Sequence, residues 1–218
     1  MKAKTDWKTI ISSLKKALEK EVPPAAEQVM NQKPDPFRVL ISTMISLRTK
    51  DDVTLAASGR LFKAADTPEK IAELTEKVIA GFIYPAGFYA VKSKHIKTAA
   101  RLIAERGGTV PDNIEELLSL PGVGRKTANL VLSVGFGIPA ICVDTHVHRI
   151  SNRTGWVATR TPEETEQALM KALPERYWIV INGMLVSYGQ RICTPLSPRC
   201  SLCVITAFCV RAGVTRTR

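Results

Sequence analysis

Leu120–Pro121–Gly122–Val123–Gly124–Arg125–Lys126 is the stretch on which the reading of this chain turns. Before it, Ile114, Leu117 and Leu118 follow Asp112 at helical spacing, and a second helix is expected to start near Arg125. Gly122 and Gly124 permit backbone conformations closed to other residues and leave amide groups uncovered. The N-terminal amides and positive dipole end of the second helix then point towards an anion. Helix, glycine hairpin and helix together suit the gripping of a DNA phosphate without reading of sequence.

Two plainer readings compete with this one. Gly-Val-Gly-Arg-Lys-Thr at 122–127 has the look of a nucleotide-binding P-loop. That pattern needs four residues between its first glycine and a Gly-Lys pair, and no glycine precedes Lys126. A simple glycine-containing turn between helices is the other alternative. Lys126 is open in the same way, because a lysine beside a phosphate grip is most often a phosphate contact. Its position argues for more: a helix N-terminus, partial burial and neighbouring Arg125 all favour the neutral, nucleophilic amine. Val143–Asp144–Thr145–His146 follows, with Asp144 placed 18 residues after the lysine. Asp144 could cap the helix that continues through His148 and Ile150, or both cap it and present one carboxylate oxygen to a reacting centre.

Around this segment the pattern is helical almost throughout. Trp7, Ile10, Ile11, Leu14 and Leu18 share one face of a first helix, which Val22–Pro23–Pro24 stops. Asp35–Pro36 opens an apolar segment that runs to Leu47. Thr67–Pro68–Glu69 starts a helix with Ile71, Leu74, Val78 and Ile79 inward. Ser93 is expected to cap another, with Ile96, Ala99, Ala100 and Ile103 buried and Gly107–Gly108 at its end. Thr161–Pro162–Glu163–Glu164 is a capping box. Tyr177–Trp178–Ile179–Val180–Ile181 reads locally as a strand, but a lone strand among helices has no partner, so a buried helix is expected there.

The 218 residues suffice for one domain or two small ones with a real core. Lys+Arg 31 against Asp+Glu 20 gives a net charge of +11, which points to nucleic acid or an anionic membrane as partner. Apolar stretches such as Val39–Leu47 fall far short of the roughly 20 residues that a membrane span requires. The N-terminus has no apolar signal core, so an intracellular, cytoplasmic protein is expected. Cys193, Cys200, Cys203 and Cys209 crowd one segment, with Cys142 apart. In a reducing compartment such crowding argues for a metal or cluster. The spacing C-x6-C-x2-C-x5-C is neither that of a ferredoxin nor that of a zinc ribbon, and chemistry alone leaves a cubane cluster and a zinc ion both open.

Leu-Pro-Gly-Val-Gly-Arg-Lys-Thr-Ala-Asn at 120–129 and Val-Asp-Thr-His at 143–146 resemble the endonuclease III family of helix-hairpin-helix DNA glycosylases with AP-lyase activity. Ile-Ser-Leu-Arg-Thr-Lys-Asp at 45–51, Gly-Phe-Tyr at 87–89 and Gly-Gly-Thr-Val-Pro at 107–111 extend the likeness. With the cysteines it covers nearly the whole chain. The resemblance implies that Lys126 is a Schiff-base nucleophile that displaces a damaged base, oxidised pyrimidines being the expected target, and that β-elimination then breaks the strand 3′ to the abasic site. It implies that Asp144 assists the lysine and stabilises charge on the sugar. Gly122, Val123, Gly124, Arg125, Thr145 and His146 fall to DNA binding. The loops at 46–51 and 87–92 would fill the gap left by a flipped base, with Arg48 and Phe88 or Tyr89 as wedges. The cysteine spacing is similar to the family's 4Fe–4S loop at every position, which decides between cluster and zinc. Arg191, Arg199 and Arg211, in or beside that segment, could then face the DNA backbone, and Cys142 is expected to be a small buried residue.

The fold that the resemblance implies is all-α and two-lobed, with an active-site cleft between the lobes. A central lobe would span about 25–138, with the hairpin at about 112–134. Residues 1–24 would join 139–218 in a discontinuous cluster lobe. The expected partner is duplex DNA with oxidised pyrimidines or abasic sites, and the protein is expected to be a monomer. Two departures stand out: Arg48 replaces the glutamine of many relatives, and His148 replaces phenylalanine, as a core filler or phosphate contact. Adenine-mismatch relatives usually lack the lysine and carry a further C-terminal domain, whereas this chain ends soon after Cys209. The competing functions are a non-catalytic DNA-binding module with a structural or redox cluster, a zinc-stabilised nucleic-acid protein, and a mismatch-directed glycosylase of the same superfamily.

Overall fold

The computed structural model describes residues 5–32 and 34–218, and among these it is all-α with no strand. Helix α1 (Trp7–Leu18) starts at Asp6, whose Oδ1 accepts the Thr9 N–H, and buries Trp7, Ile10, Ile11 and Leu14. Then come α2 (Ala25–Gln32), α3 (Pro36–Ser46), α4 (Asp51–Ala64), α5 (Pro68–Glu73), α6 (Glu76–Ile83) and α7 (Tyr89–Glu105). Helices α8 (Ile114–Ser119) and α9 (Arg125–Leu130) flank the glycine hairpin, and α9 runs into a π-helical turn at Val131–Gly135. The chain finishes with α10 (Thr145–Thr154), α11 (Pro162–Ala172), α12 (Trp178–Arg191) and two single 3-10 turns, Cys200–Leu202 and Thr206–Phe208. None of the helices is long and apolar enough to cross a membrane among the described residues.

The chain divides into two compact units. In the central unit, Pro24–Ile138, helix α3 is the core element. Phe37 and the run Val39–Ile45 are all buried, so α3 is covered on nearly every side, as expected of a helix apolar around its circumference. Leu61, Ile71, Ile79, Ile83, Ile96, Ile103 and Leu117 complete that core. Each such Leu or Ile contributes about 1.5–3 kcal/mol by leaving water. The second unit joins Met1–Pro23 to Pro139–Arg218. There α1 packs with Val147, Ile150, Leu169, Ile181, Leu185 and Tyr188, and the Trp7 indole N–H donates to Ala172 O at 2.7 Å.

Several local expectations change. The helix predicted from Thr67 is two helices, because Thr75 accepts the Val78 N–H and starts α6 afresh. The break resets the phase, so Val78 turns outward while Ile79 stays in the core. Ser93 is no cap: α7 already begins at Tyr89, and the buried Ser93 hydroxyl donates to Ala90 O. Leu118 is exposed, because α8 is short and only Leu117 turns inward. The strand-like 177–181 stretch is helical, a 3-10 turn at Glu175–Tyr177 leading into α12, but it is buried only from Ile181 onward. Thr161 caps α11 as the capping box predicts, while the Glu164 carboxylate reaches back one residue further, to the Arg160 N–H.

Candidate active site

The hairpin between α8 and α9 divides its work unequally between the two glycines. Gly122 has φ +79°, and a Cβ there would lie 2.8 Å from both Cβ and Nδ1 of His95 on α7. Conformation and close approach therefore both require glycine at this position. Gly124 does not match that expectation: its φ of −97° and ψ of 176° are ordinary extended backbone, and a Cβ there would enter open space. Val123 is buried and its N–H donates to Leu120 O at 3.1 Å, so it stabilises the turn from inside. Gly124 is the N-cap of α9, and Lys126 sits in the first turn, partly buried beside Arg125. The next residues, Thr127, Ala128 and Asn129, are buried, which anchors that turn in the core. The π turn follows at once, and the Ser133 hydroxyl donates to Asn129 O within it.

Asp144, in the other unit, is the N-cap of α10. Its Oδ1 accepts from the His146 N–H at 2.9 Å and the Val147 N–H at 2.8 Å. Both bonds use one oxygen, which holds the carboxylate still. Thr145 is exposed. The His146 ring is half-buried, with Nδ1 3.0 Å from the Arg149 guanidinium. His148 is neither an apolar filler nor a bare surface ring. Its Nδ1 lies 2.6 Å from the Thr165 hydroxyl, which meets Thr159 in turn, within a polar network that ties α10 to α11.

Arg48 and Phe88, named as wedges from their loops, come together in the central unit. Both hold left-handed backbones, φ 52° and φ 58°, and the Arg48 guanidinium lies 5.5 Å from the Phe88 ring centre. Phe88 is 61% exposed. Tyr89 stacks edge-on with Tyr84, ring centres 5.3 Å apart. The residues that hold these loops escaped the sequence reading. Buried Lys92 donates to Ile45 O, Leu47 O and the Thr49 hydroxyl, and the Gly87 N–H donates to that same hydroxyl. Burial pushes the Lys92 ammonium down to about 8. A lysine among Ala, Val and Ser at a position of helical burial was the signal available for it.

Cys193, Cys200, Cys203 and Cys209 are close enough that the other three raise the Cys209 thiol, after burial as the larger cause. Among the described residues no three or more His, Cys, Asp or Glu are gathered tightly enough to hold a single metal ion. Donors are aimed at the sulfurs: the Arg211 N–H lies 3.4 Å from Cys209 Sγ, and an Arg153 guanidinium nitrogen 3.6 Å from Cys193 Sγ. Four thiols on one segment, with a cationic donor to one sulfur and an amide donor to another, fit an iron–sulfur cluster as a donor set. Arg153 also holds Thr194 O and Pro195 O, and Arg149 holds Cys193 O at 2.8 Å. Both arginines lie on α10, far away in sequence, and neither stood out there. Of the arginines that did, Arg191 pairs with Glu21, Arg211 bonds the Thr206 hydroxyl, and Arg199 is exposed. Cys142 is fully buried, as expected.

Residues 41–175 match the family model described as HhH-GPD superfamily base excision DNA repair protein. The chain is 54% identical over 176 residues to an endonuclease III of Thermotoga maritima, covering 80% of this chain and 83% of that protein. It is 48% identical over 186 residues to the chloroplastic endonuclease III homolog 2 of Arabidopsis thaliana, spanning about half of that longer protein (48%) and 81% of this chain. Among solved structures it superposes on a trapped endonuclease III–DNA covalent intermediate with a TM-score of 0.85, at 31% identity, covering 97% of each chain.

Proposed function

Since the chain belongs to the HhH-GPD superfamily of base excision DNA repair proteins, as a DNA glycosylase with AP-lyase activity, we propose that it excises oxidised pyrimidines from duplex DNA through Lys126. The observation that carries this reading is the placement of Lys126. It lies in the first turn of α9, next to the left-handed Gly122 hairpin, in a chain similar to one captured as a covalent DNA intermediate. A covalent intermediate requires a nucleophile, and Lys126 is the amine positioned beside a phosphate grip.

In this reading the Lys126 amine attacks C1′ of the damaged nucleotide, and the base leaves with the electron pair of the glycosidic bond. The nitrogen sheds one proton to Asp144, and O4′ takes up a proton as the sugar ring opens, leaving a protonated imine between Nζ and C1′. Loss of a C2′ proton then expels the 3′ phosphate oxygen, and water releases the lysine. Asp144 faces the positive charge that develops on the sugar and accepts the proton that the amine sheds. Its use as an α10 cap supports this role, because a carboxylate already fixed by two N–H bonds needs little reorganisation. Gly122, Gly124 and Arg125 hold backbone phosphate, and Thr145 and His146, next to Asp144 in sequence, serve DNA binding as well. Arg48 and Phe88 occupy the gap in the duplex, and Tyr89 follows Phe88 with its ring edge-on to Tyr84.

Cys193, Cys200, Cys203 and Cys209 would hold a 4Fe–4S cluster, which when bound supplies a rigid cross-link for the loop. Arg149 and Arg153 hold that loop to α10 from the other side. The protein works as a monomer in this scheme, since every assigned role falls within one chain.

The test is reductive trapping. Borohydride reduces an imine to a stable amine, so the wild-type chain forms a covalent adduct on DNA with an abasic site or an oxidised pyrimidine. Lys126→Ala abolishes it. An absent adduct with wild-type protein that still binds DNA would turn the reading to a non-catalytic DNA-binding module, and undiminished trapping by Lys126→Ala would end the lysine assignment.

A further inference from the structure

Lys92 projects from α7 and is only 7% exposed. Its ammonium donates to Ile45 O at 2.6 Å, Leu47 O at 2.5 Å and Thr49 Oγ1 at 2.9 Å. An ammonium has three N–H donors, so all are used. The Thr49 hydroxyl is equally complete, accepting from Lys92 and from the Gly87 N–H at 3.1 Å and donating to Leu47 O at 3.3 Å. Ile45 and Leu47 belong to the end of α3, where carbonyls lack helical partners. One side chain from α7 thus closes α3, and one hydroxyl carries the link on to residue 87.

The two turns joined in this way approach too closely for a side chain at residue 87. A Cβ on Gly87 would lie 2.5 Å from Arg48 O. Each turn also carries a left-handed residue that is not glycine, Arg48 and Phe88. Such conformations persist only where the surroundings over-determine them. Outside the clasp the two side chains meet, guanidinium over ring.

Capping alone does not account for the arrangement, and the same helix shows why. Lys97 donates to Ala72 O at 2.9 Å and Leu74 O at 2.5 Å, closing α5. The capped residues, Leu47 and Leu74, both have negative φ, but Leu74 is followed by ordinary extended backbone at Thr75, φ −74° and ψ 153°, and Leu47 by the left-handed Arg48. Lys97 is a plain cap, whereas Lys92 secures a strained and exposed pair.

Resting on the assignment of Arg48 and Phe88 to the gap in the duplex, we propose that Lys92 is the positioning residue of that surface. By holding the Ile45–Thr49 turn against Gly87, it fixes the Arg48–Phe88 pair and so sets affinity for damaged duplex and discrimination of the opposite base.

The experiment uses the full chain in its cluster-loaded form, with duplexes carrying a tetrahydrofuran abasic analogue opposite each of the four bases, and an undamaged duplex. Fluorescence anisotropy gives Kd for each. Lys92→Met is expected to weaken binding of the analogue duplexes about tenfold and to compress the opposite-base ratios to within about twofold. Binding to undamaged duplex changes much less. In single turnover the loss falls on the half-saturating concentration rather than on the rate at saturation. Thr49→Val removes the shared hydroxyl at constant volume and gives the same pattern in smaller measure, which decides the matter should Lys92→Met fail to fold. Lys97→Met lowers Tm and leaves the opposite-base ratios as in wild type.

Wild-type ratios in Lys92→Met or, if that protein does not fold, in Thr49→Val overturn the proposal. So does an equal compression in Lys97→Met, or a parallel loss on undamaged DNA. A wild-type protein that shows no preference for the analogue over undamaged duplex removes the underlying assignment of Arg48 and Phe88. Preference in wild type that survives in the variants removes the role of Lys92 alone.

Discussion

The guanidinium of Arg48 rests over the ring of Phe88, 5.5 Å from its centre, with both residues in left-handed backbone. The two come from turns about 40 residues apart in sequence, and no helix periodicity links them. Arg48→Ala and Phe88→Ala should each weaken binding to abasic-analogue duplex. The double variant should lose less than the sum, by about 0.5–1 kcal/mol, since the pair is an exposed cation–π contact. A double-mutant cycle on Kd measures this, and strict additivity would mean that the two side chains act independently on DNA.

Asp144 caps a helix and is assigned to chemistry, and these roles separate. Asparagine caps nearly as well, so Asp144→Asn should keep stability within about 0.5 kcal/mol while the single-turnover rate falls about a hundredfold. Asp144→Ala should lose about 1 kcal/mol in addition. Thermal melts beside single-turnover excision read both.

The hairpin glycines should respond differently. Gly122→Ala meets His95 and a left-handed φ, and should cost about 1–3 kcal/mol. Gly124→Ala should change stability by less than about 0.5 kcal/mol, since its backbone and surroundings admit a side chain. Urea unfolding of the two variants checks the contrast, and equal losses would contradict the division of labour between them.

Lys92 carries a pH signature. Burial lowers it from the ordinary 10.5 to about 8 in the folded chain. Below pH 8 the lysine is charged in both folded and unfolded states, so its contribution is constant. Between about 8 and 10.5 the unfolded chain holds a proton that the folded chain has released, so this group adds stability as pH rises. The stability difference between wild type and Lys92→Met should therefore move in favour of wild type across that window. A flat difference from pH 7 to pH 10.5 would mean an unshifted lysine.

The cysteine segment makes its own prediction. Protein purified anaerobically should be brown and carry about four irons and matching sulfide per chain. Cys209→Ala should lower iron content and Tm together. Cys142→Ala should leave iron unchanged and lower only stability, by about 1 kcal/mol for a small buried side chain. Colourless protein with full zinc content would exclude the cluster.

Local signals in the chain were legible wherever a short-range rule decides. Asp35–Pro36, Thr161–Pro162 and Asp144 start helices because a side-chain oxygen reaches an N–H two or three residues on. Trp7, Ile10, Ile11 and Leu14 are buried because helix period alone puts them on one face. Phase errors arose where a polar residue interrupts an apolar run. Thr75 restarts α6 and turns Val78 outward, a choice that a continuous periodicity conceals. Gly122 and Gly124 look alike in sequence, and only the packing of His95 separates them.

By itself the sequence determined that the chain is helical, that a glycine hairpin precedes Lys126, that Asp144 follows in a capping position, and that four cysteines share one segment. Each of these rests on interactions between near neighbours, whose partners are written within a few residues. Tertiary structure decided what requires distant partners. It brought Trp7 to Ala172, set Arg149 and Arg153 on the cysteine loop, and buried Lys92 under the turns of Arg48 and Phe88. A buried ammonium must find acceptors wherever the fold supplies them, and those carbonyls lie more than 40 residues away, beyond the reach of any periodicity.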